Sequence, residues 1–231
     1  MARLVAVCAL VLFVLALPLA LALSSFRWLI FEPATYIQGQ QRYAVAQDTG
    51  LRAAELSAVD RGLVRYFQSD RQSLLTALEQ EGVARSPFSE RDAAHLVDVH
   101  DLIRGVLGIQ WLAMAYGLIF LAAAIVARAW RWLARGIALG SLLTLVVLGL
   151  LGLLSLLDWE ALYLQFHFVS FSNDLWQLDP SRDALIRLYP PAFQRDVAMQ
   201  AMLMSLAEAL LLAALGWVFL WRSPAMKRRT W

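Results

Sequence analysis

Over much of this chain apolar residues run without a break instead of recurring at the period of one helix face. Four blocks stand out: Leu4–Leu23, Gly105–Ala127, Gly136–Leu157 and Val197–Trp221. At ~1.5 Å per residue, a helix of ~20 residues crosses ~30 Å of hydrocarbon, and each block is long enough. The first three hold no Asp, Glu, Lys or Arg, and the fourth holds only Glu208. A helix apolar on every face for that length belongs in a bilayer. The pattern predicts an all-α membrane protein with four transmembrane helices.

Between the blocks the pattern changes. In Ser24–Leu102 a helix is expected from about Leu51, capped by Asp48 or Thr49, because Leu56, Val59, Leu63, Tyr66 and Phe67 recur at helical spacing. Tyr36–Gln47 reads as ambiguous between helix and extended chain. Ser86-Pro87-Phe88 breaks the chain, and Ser89 with Asp92 three residues on makes a capping-box-like start. No breaker follows, so Glu90–Ala127 is expected to be one helix whose polar end projects from the membrane. The third helix is expected to run on to about Phe166. Asn173-Asp174 and Asp179-Pro180-Ser181 signal turns, and Pro190-Pro191 ends regular structure before the fourth helix. The chain is read as a single membrane domain with a mostly helical extracytoplasmic portion built from two outer segments, 24–102 and 158–196.

Charge sets the orientation. Arg3, Arg128, Arg131, Arg135, Arg222, Lys227, Arg228 and Arg229 are eight basic residues, with no acid among them in 1–3, 128–135 and 222–231. Segment 24–102 has 8 basic and 11 acidic residues, and segment 158–196 has 3 and 6. The positive-inside rule then places both termini and 128–135 in the cytoplasm. The first block resembles a signal peptide at Ala20-Leu21-Ala22, but its apolar run exceeds a usual h-region, so the helix is expected to stay. The net charge of +2 carries no sign of a nucleic-acid partner; the basic tail suits anionic lipid headgroups. Cys8 is the only cysteine, which excludes an internal disulfide, and it is expected to be an inert buried thiol. Glu208 is read as a protonated carboxyl bonded to a neighbouring helix.

Composition narrows the chemistry. There is no glycine-rich phosphate loop, no G-x-S-x-G elbow and no H-E-x-x-H zinc spacing, so no cofactor or metal is expected. All three histidines fall in or beside the outer segments. His95 stands about ten residues before the second block, and His167 lies just past the third. Asp98, at i+3 from His95, shares its helix face and is positioned to hold the ring in one tautomer. His100 points elsewhere and reads as solvated. Asp101 and Arg104 read as a surface pair.

One stretch is specific. Phe166-His167, then Phe171, Asn173, Trp176, Leu178-Asp179-Pro180, Asp183, Leu185-Ile186, Pro190 and Phe193 resembles the pattern of bacterial lipoprotein intramolecular transacylases. Ser89-Glu90 with His95-Leu96 and Asp98-Val99 is a second match. A weaker third runs through Tyr36, Tyr43, Val45, Thr49-Gly50-Leu51, Glu55-Leu56, Tyr66 and Phe67. The chain departs from the pattern at His100, where a basic residue is expected, and at Gln194, where a second phenylalanine is common. The resemblance implies transfer of the sn-2 acyl chain of a diacylglyceryl-cysteine lipoprotein to that cysteine's own α-amine, giving a lyso-form lipoprotein. It implies a diacylated lipoprotein and membrane lipids as partners. It also implies a multi-pass protein of the bacterial cytoplasmic membrane with its active site on the outer face. His167 and His95 are then the catalytic pair, with His167 favoured as base for its nearness to the membrane surface. Asp98, Asn173, Trp176 and Asp179 are supporting residues, Asn173 and Trp176 serving either as donors or as loop fixtures. A non-catalytic scaffold and a bis-histidine haem protein are the alternatives.

Overall fold

The computed structural model describes residues 1–69 and 72–222. Lys227, Arg228 and Arg229, counted above for orientation, lie outside the described residues. Among those described there are ten helices and no strand. In chain order they are α1 (Ala2–Phe31), α2 (Pro33–Arg42), α3 (Val45–Thr49), α4 (Ala53–Gln68), α5 (Leu74–Gln80), α6 (Glu90–Val126), α7 (Trp130–Leu157), α8 (Trp159–Ser170), α9 (Leu185–Leu188) and α10 (Pro191–Arg222). Four of them, α1, α6, α7 and α10, are long and apolar enough to cross a membrane.

The chain divides into two compact units. One is built from 1–25, 108–156 and the described residues from 201 on. Its helices meet through small residues, as bundles in lipid must when no hydrophobic effect drives them together. A Cβ on Gly216 of α10 would stand 3.1 Å from the Ala134 carbonyl oxygen and the Ala138 nitrogen of α7, so two backbones nearly touch there. Gly136 and Gly140 leave room for Phe13 and Leu17 of α1. Polar side chains join the helices: Ser205 Oγ donates to Ser25 Oγ at 3.0 Å, Gln110 Nε2 to Ser24 Oγ at 2.9 Å, and the Tyr116 hydroxyl to the Ala9 carbonyl at 2.8 Å. Large apolar side chains such as Leu118, Ile119, Leu150 and Leu211 face outward, as a lipid-facing surface requires. Two expectations change here. Cys8 is exposed on α1, and Glu208 is exposed on α10 with no partner among the described residues. Gly216→Val would drive a branched side chain into immovable backbone. We expect it to lower the thermal unfolding midpoint of the detergent-solubilised protein, because overpacking typically costs ~1–3 kcal/mol.

The other unit comprises 26–107 and 157–200. Its core gathers Tyr36, Val45, Leu56, Val59, Leu63, Tyr66, Leu78, Leu96, Leu188 and Tyr189. The α4 stripe is therefore buried as its spacing predicts. Tyr36–Gln47 is helical in α2 and α3 apart from a turn at Tyr43-Ala44. Pro33 at the first turn starts α2, with the Glu32 carboxylate accepting from Ala34 N–H, and Gly39 seats its backbone against the Phe193 ring. The α4 start also differs. Gly50, at φ +72°, ends α3, so Thr49 bonds back to the Val45 carbonyl, and Glu55 reaches back to cap the Arg52 N–H. The third apolar helix does not run on to Phe166. It stops at Leu157, and Asp158 caps a new helix, α8, by accepting from Ala161 N–H at 2.9 Å.

The start of α6 follows its capping signal. Ser89 N–H donates to Asp92 Oδ2 and Asp92 N–H to Ser89 Oγ, both at 3.0 Å. Asp92 Oδ2 also accepts from Ala184 N–H at 2.9 Å, and the Ser89 hydroxyl donates to Asp183 Oδ1 at 2.8 Å. Asp183 Oδ2 in turn accepts from Asp179 N–H. The capping box thus ties the first turn of α6 to the 179–184 loop.

Candidate active site

Three elements of this second unit build the site: the first turns of α6, the helix α8, and the 171–184 loop. α6 supplies His95 and α8 supplies His167. Both rings are buried, with 6% and 4% of their surface exposed, and their centroids are 6.4 Å apart. Residues 72 positions apart in sequence meet because α6 and α8 pack in one unit.

Aromatic rings enclose the pair. Phe171 packs on His95 at 5.0 Å and on His167 at 5.7 Å. Trp176 lies 5.0 Å from His167, and Tyr163, one turn earlier on α8, lies 4.1 Å away. This shell limits water around the imidazoles, and a drier site strengthens any electrostatic interaction made in it.

His167 Nδ1–H donates to the Tyr163 carbonyl at 2.8 Å. A backbone carbonyl can only accept, so the proton resides on Nδ1 and Nε2 keeps its lone pair. Burial lowers the His167 pKa from its ordinary 6.5, while the Tyr163 carbonyl opposes that shift. The ring is therefore neutral at pH 7. A neutral imidazole with a fixed tautomer and a bare Nε2 is a proton acceptor. His95 Nδ1 is buried without a hydrogen-bond partner.

Residues 11–194 match the family model described as lipoprotein intramolecular transacylase Lit. The chain belongs to the lipoprotein intramolecular transacylase family. Solved structures of the membrane-integral lipoprotein intramolecular transacylase Lit from Bacillus cereus share its fold. One has a TM-score of 0.82 at 16% identity, covering 95% of this chain and 97% of that one. Two variants of the Bacillus cereus protein, with one histidine replaced by arginine or by alanine, give 0.79 and 0.77 at the same identity. They cover 98% and 94% of this chain, and 96% and 94% of their own. No curated protein matches the chain. The chain is therefore a multi-pass membrane acyltransferase that processes lipoproteins by intramolecular transacylation. That activity sets aside the non-catalytic scaffold.

The other sequence-selected residues sort clearly within this transacylase. Asp98 does not bond His95; it accepts from Asn173 Nδ2 at 2.9 Å. Asn173 Oδ1 accepts from Leu175 N–H, so its amide is spent on fixing the loop. Trp176 packs against His167 with its ring tilted. Asp179 turns the loop, accepting from Ser181 N–H and Oγ and pairing with Arg182. Asp92 and Asp183 stand in the sequence motifs, the first by its spacing from Ser89 and the second in the stretch after His167, but neither they nor Tyr163 reads there as a site residue. Among the described residues no group of three or more His, Cys, Asp or Glu side chains is placed to hold a metal ion.

His100 is the main correction. It is buried at 9% exposure, its Nε2–H donates to the Ser69 carbonyl at 2.8 Å, and its ring packs on Tyr66 at 4.8 Å. Its Nδ1 lies 3.4 Å from the Asp101 carboxylate. A direction away from His95 on α6 points into the α4 core, not into water. His100→Ala should therefore destabilise the fold by ~1–3 kcal/mol, the usual cost of stranding a buried polar partner. Turnover per folded molecule should stay near wild type. Thermal unfolding together with activity normalised to folded protein checks both parts.

Proposed function

We propose that His167 is the general base of the transfer and His95 its partner at the reacting centre. The substrate is a diacylated lipoprotein whose sn-2 acyl chain moves to the α-amine of its own lipidated cysteine. The observation that carries this reading is the buried histidine pair, 6.4 Å apart, with Nδ1 of His167 committed to a backbone carbonyl. Both reacting groups belong to one molecule, so the protein has to orient them rather than gather them, which favours a site with no acyl-donor pocket of its own.

The α-amine nitrogen attacks the ester carbonyl carbon while His167 Nε2 takes a proton from it. The tetrahedral intermediate collapses as the carbon–oxygen bond to glycerol breaks. The proton passes to the glycerol oxygen, leaving an amide on cysteine and a free hydroxyl on the lipid. Asp98, Asn173, Trp176 and Asp179 support the pair through the loop that packs on it. The charge asymmetry supports a cytoplasmic N-terminus and C-terminus, with the histidines on the outer face of a bacterial cytoplasmic membrane.

The test uses a lipopeptide whose sn-1 and sn-2 chains differ in mass, incubated with the purified protein. Mass spectrometry should find the sn-2 chain as the N-acyl group, with the total number of chains unchanged. A product bearing three chains would mean that a separate phospholipid donates, and an N-acyl group of sn-1 mass would mean that the other ester reacts.

A further inference from the structure

A histidine pair that moves protons leaves one charge unattended: the oxyanion of the tetrahedral intermediate. Arg91 is placed to meet it. It precedes His95 by four residues on α6, so both side chains share one helix face. Its Nη2 donates to the carbonyl of Asp174, in the turn that brings Trp176 onto His167. The guanidinium is thus rooted on the His95 helix and pinned at its tip to the loop over His167. Its Nε is buried and has no hydrogen-bond partner. A buried guanidinium N–H without an acceptor is costly in the free protein, and an arriving acceptor removes that cost. Arg91 is also near enough for its charge to act on the His95 ring.

We propose that Arg91 is the oxyanion-stabilising catalytic residue of the transfer, its free guanidinium N–H donating to the former ester carbonyl oxygen. The inference rests on the assignment of His167 and His95 made above. As the amine nitrogen bonds to the carbonyl carbon, the π pair moves onto oxygen and faces Arg91. When the carbon–oxygen bond to glycerol breaks, that pair returns and the amide carbonyl forms. The interaction strengthens as charge develops, so it acts on the transition state more than on the bound ester.

The experiment compares Arg91→Gln, Arg91→Lys and His167→Ala with wild type, using the purified full-length protein and the diacylated lipopeptide. Turnover, KM and thermal midpoint are read separately, and Arg91→Gln is assayed again with methylguanidinium added. Loss of one oxyanion donor typically lowers kcat by ~10²–10³-fold, so Arg91→Gln should fall by about that factor with KM little changed. Arg91→Lys should lie between it and wild type, and methylguanidinium should restore part of the lost turnover. Wild-type kcat in Arg91→Gln overturns the proposal. So does a loss that comes with a lowered midpoint and resists methylguanidinium, because a clamp on Asp174 would behave that way. Should Arg91→Gln fail to fold, Arg91→Lys decides: a kcat below wild type with an unchanged midpoint supports the role, and a wild-type kcat overturns it. An active His167→Ala protein would sink the histidine assignment itself, whereas an inactive one beside an active Arg91→Gln would sink Arg91 alone.

Discussion

Replacing His167 with Ala is expected to reduce transacylation by ~10²–10⁴-fold, the usual worth of general acid–base help, while the protein still folds and inserts. Alanine keeps α8 helical and removes only a ring that packs on Tyr163, Phe171 and Trp176. His95→Ala should also fall sharply, since its ring is the neighbour of His167 in the site. The pH profile offers a check that loss of packing would not reproduce. The base must be neutral to accept a proton, so activity rises with pH through the His167 pKa. Burial lowers that pKa, which moves this limb below the ordinary histidine value of ~6.5. The attacking amine titrates near ~8 and adds a second rising limb to kcat/KM. Near-wild-type conversion by a His95/His167 double alanine variant would show that the pair is structural.

The second large effect is on stability. Asp92 is fully buried, and its Oδ2 accepts from the backbone N–H groups of Ser89 and Ala184. Asp92→Ala strands both donors and removes one of the two bonds between the α6 start and the loop over the histidines, leaving Ser89 to Asp183. Stranding a buried donor costs ~1–3 kcal/mol, so a loss of about 3 kcal/mol is expected for the two. For a chain of this size that lowers the unfolding midpoint by ~6–12 °C. Activity should fall too, because the 179–184 loop keeps only the Ser89 to Asp183 bond of its two anchors on the α6 start. Asp92→Asn keeps one carbonyl acceptor and should lose much less. A midpoint of Asp92→Ala equal to wild type would mean that the loop holds its place by other contacts.

Asp60 shows a different kind of buried acid. Its Oδ1 accepts from the Tyr189 hydroxyl at 2.6 Å, its other oxygen accepts from the Gln40 amide, and burial raises its pKa to about 6. Its contribution to stability is therefore fully present at acid pH below ~4 and is lost as pH rises through about 6. The Tyr189 and Gln40 bonds temper the shift without cancelling it, and through them this carboxyl group joins α2, α4 and the chain before α10.

Elements that depend on neighbours along the chain are legible in its residues. Uninterrupted apolar blocks made four spanning-length helices, because a helix satisfies its own backbone and needs only a length and a solvent. Ser89 and Asp92 marked the start of α6, since a cap is chemistry within four residues. The spacing of Leu56, Val59, Leu63 and Tyr66 marked the buried face of α4. The motif around His167 and His95 carried the family, because its residue types stand in a fixed order.

Whatever depends on partners far away in sequence was settled by packing. The break at Asp158 was not legible, because an N-cap inside an apolar helical run looks like one more polar residue at a membrane boundary. The helical state of Tyr36–Gln47 rests on Tyr36, Gly39 and Val45 burying against core residues distant in sequence. Helix geometry allowed Asp98 to serve His95, but Asn173, seventy-five residues later, claims its carboxylate. The same holds for His100. Its angle on α6 was predictable, but whether that direction held water or the Tyr66 ring and the Ser69 carbonyl was a matter of packing. Periodicity tells which way a side chain points, and only the assembled fold supplies what it meets there.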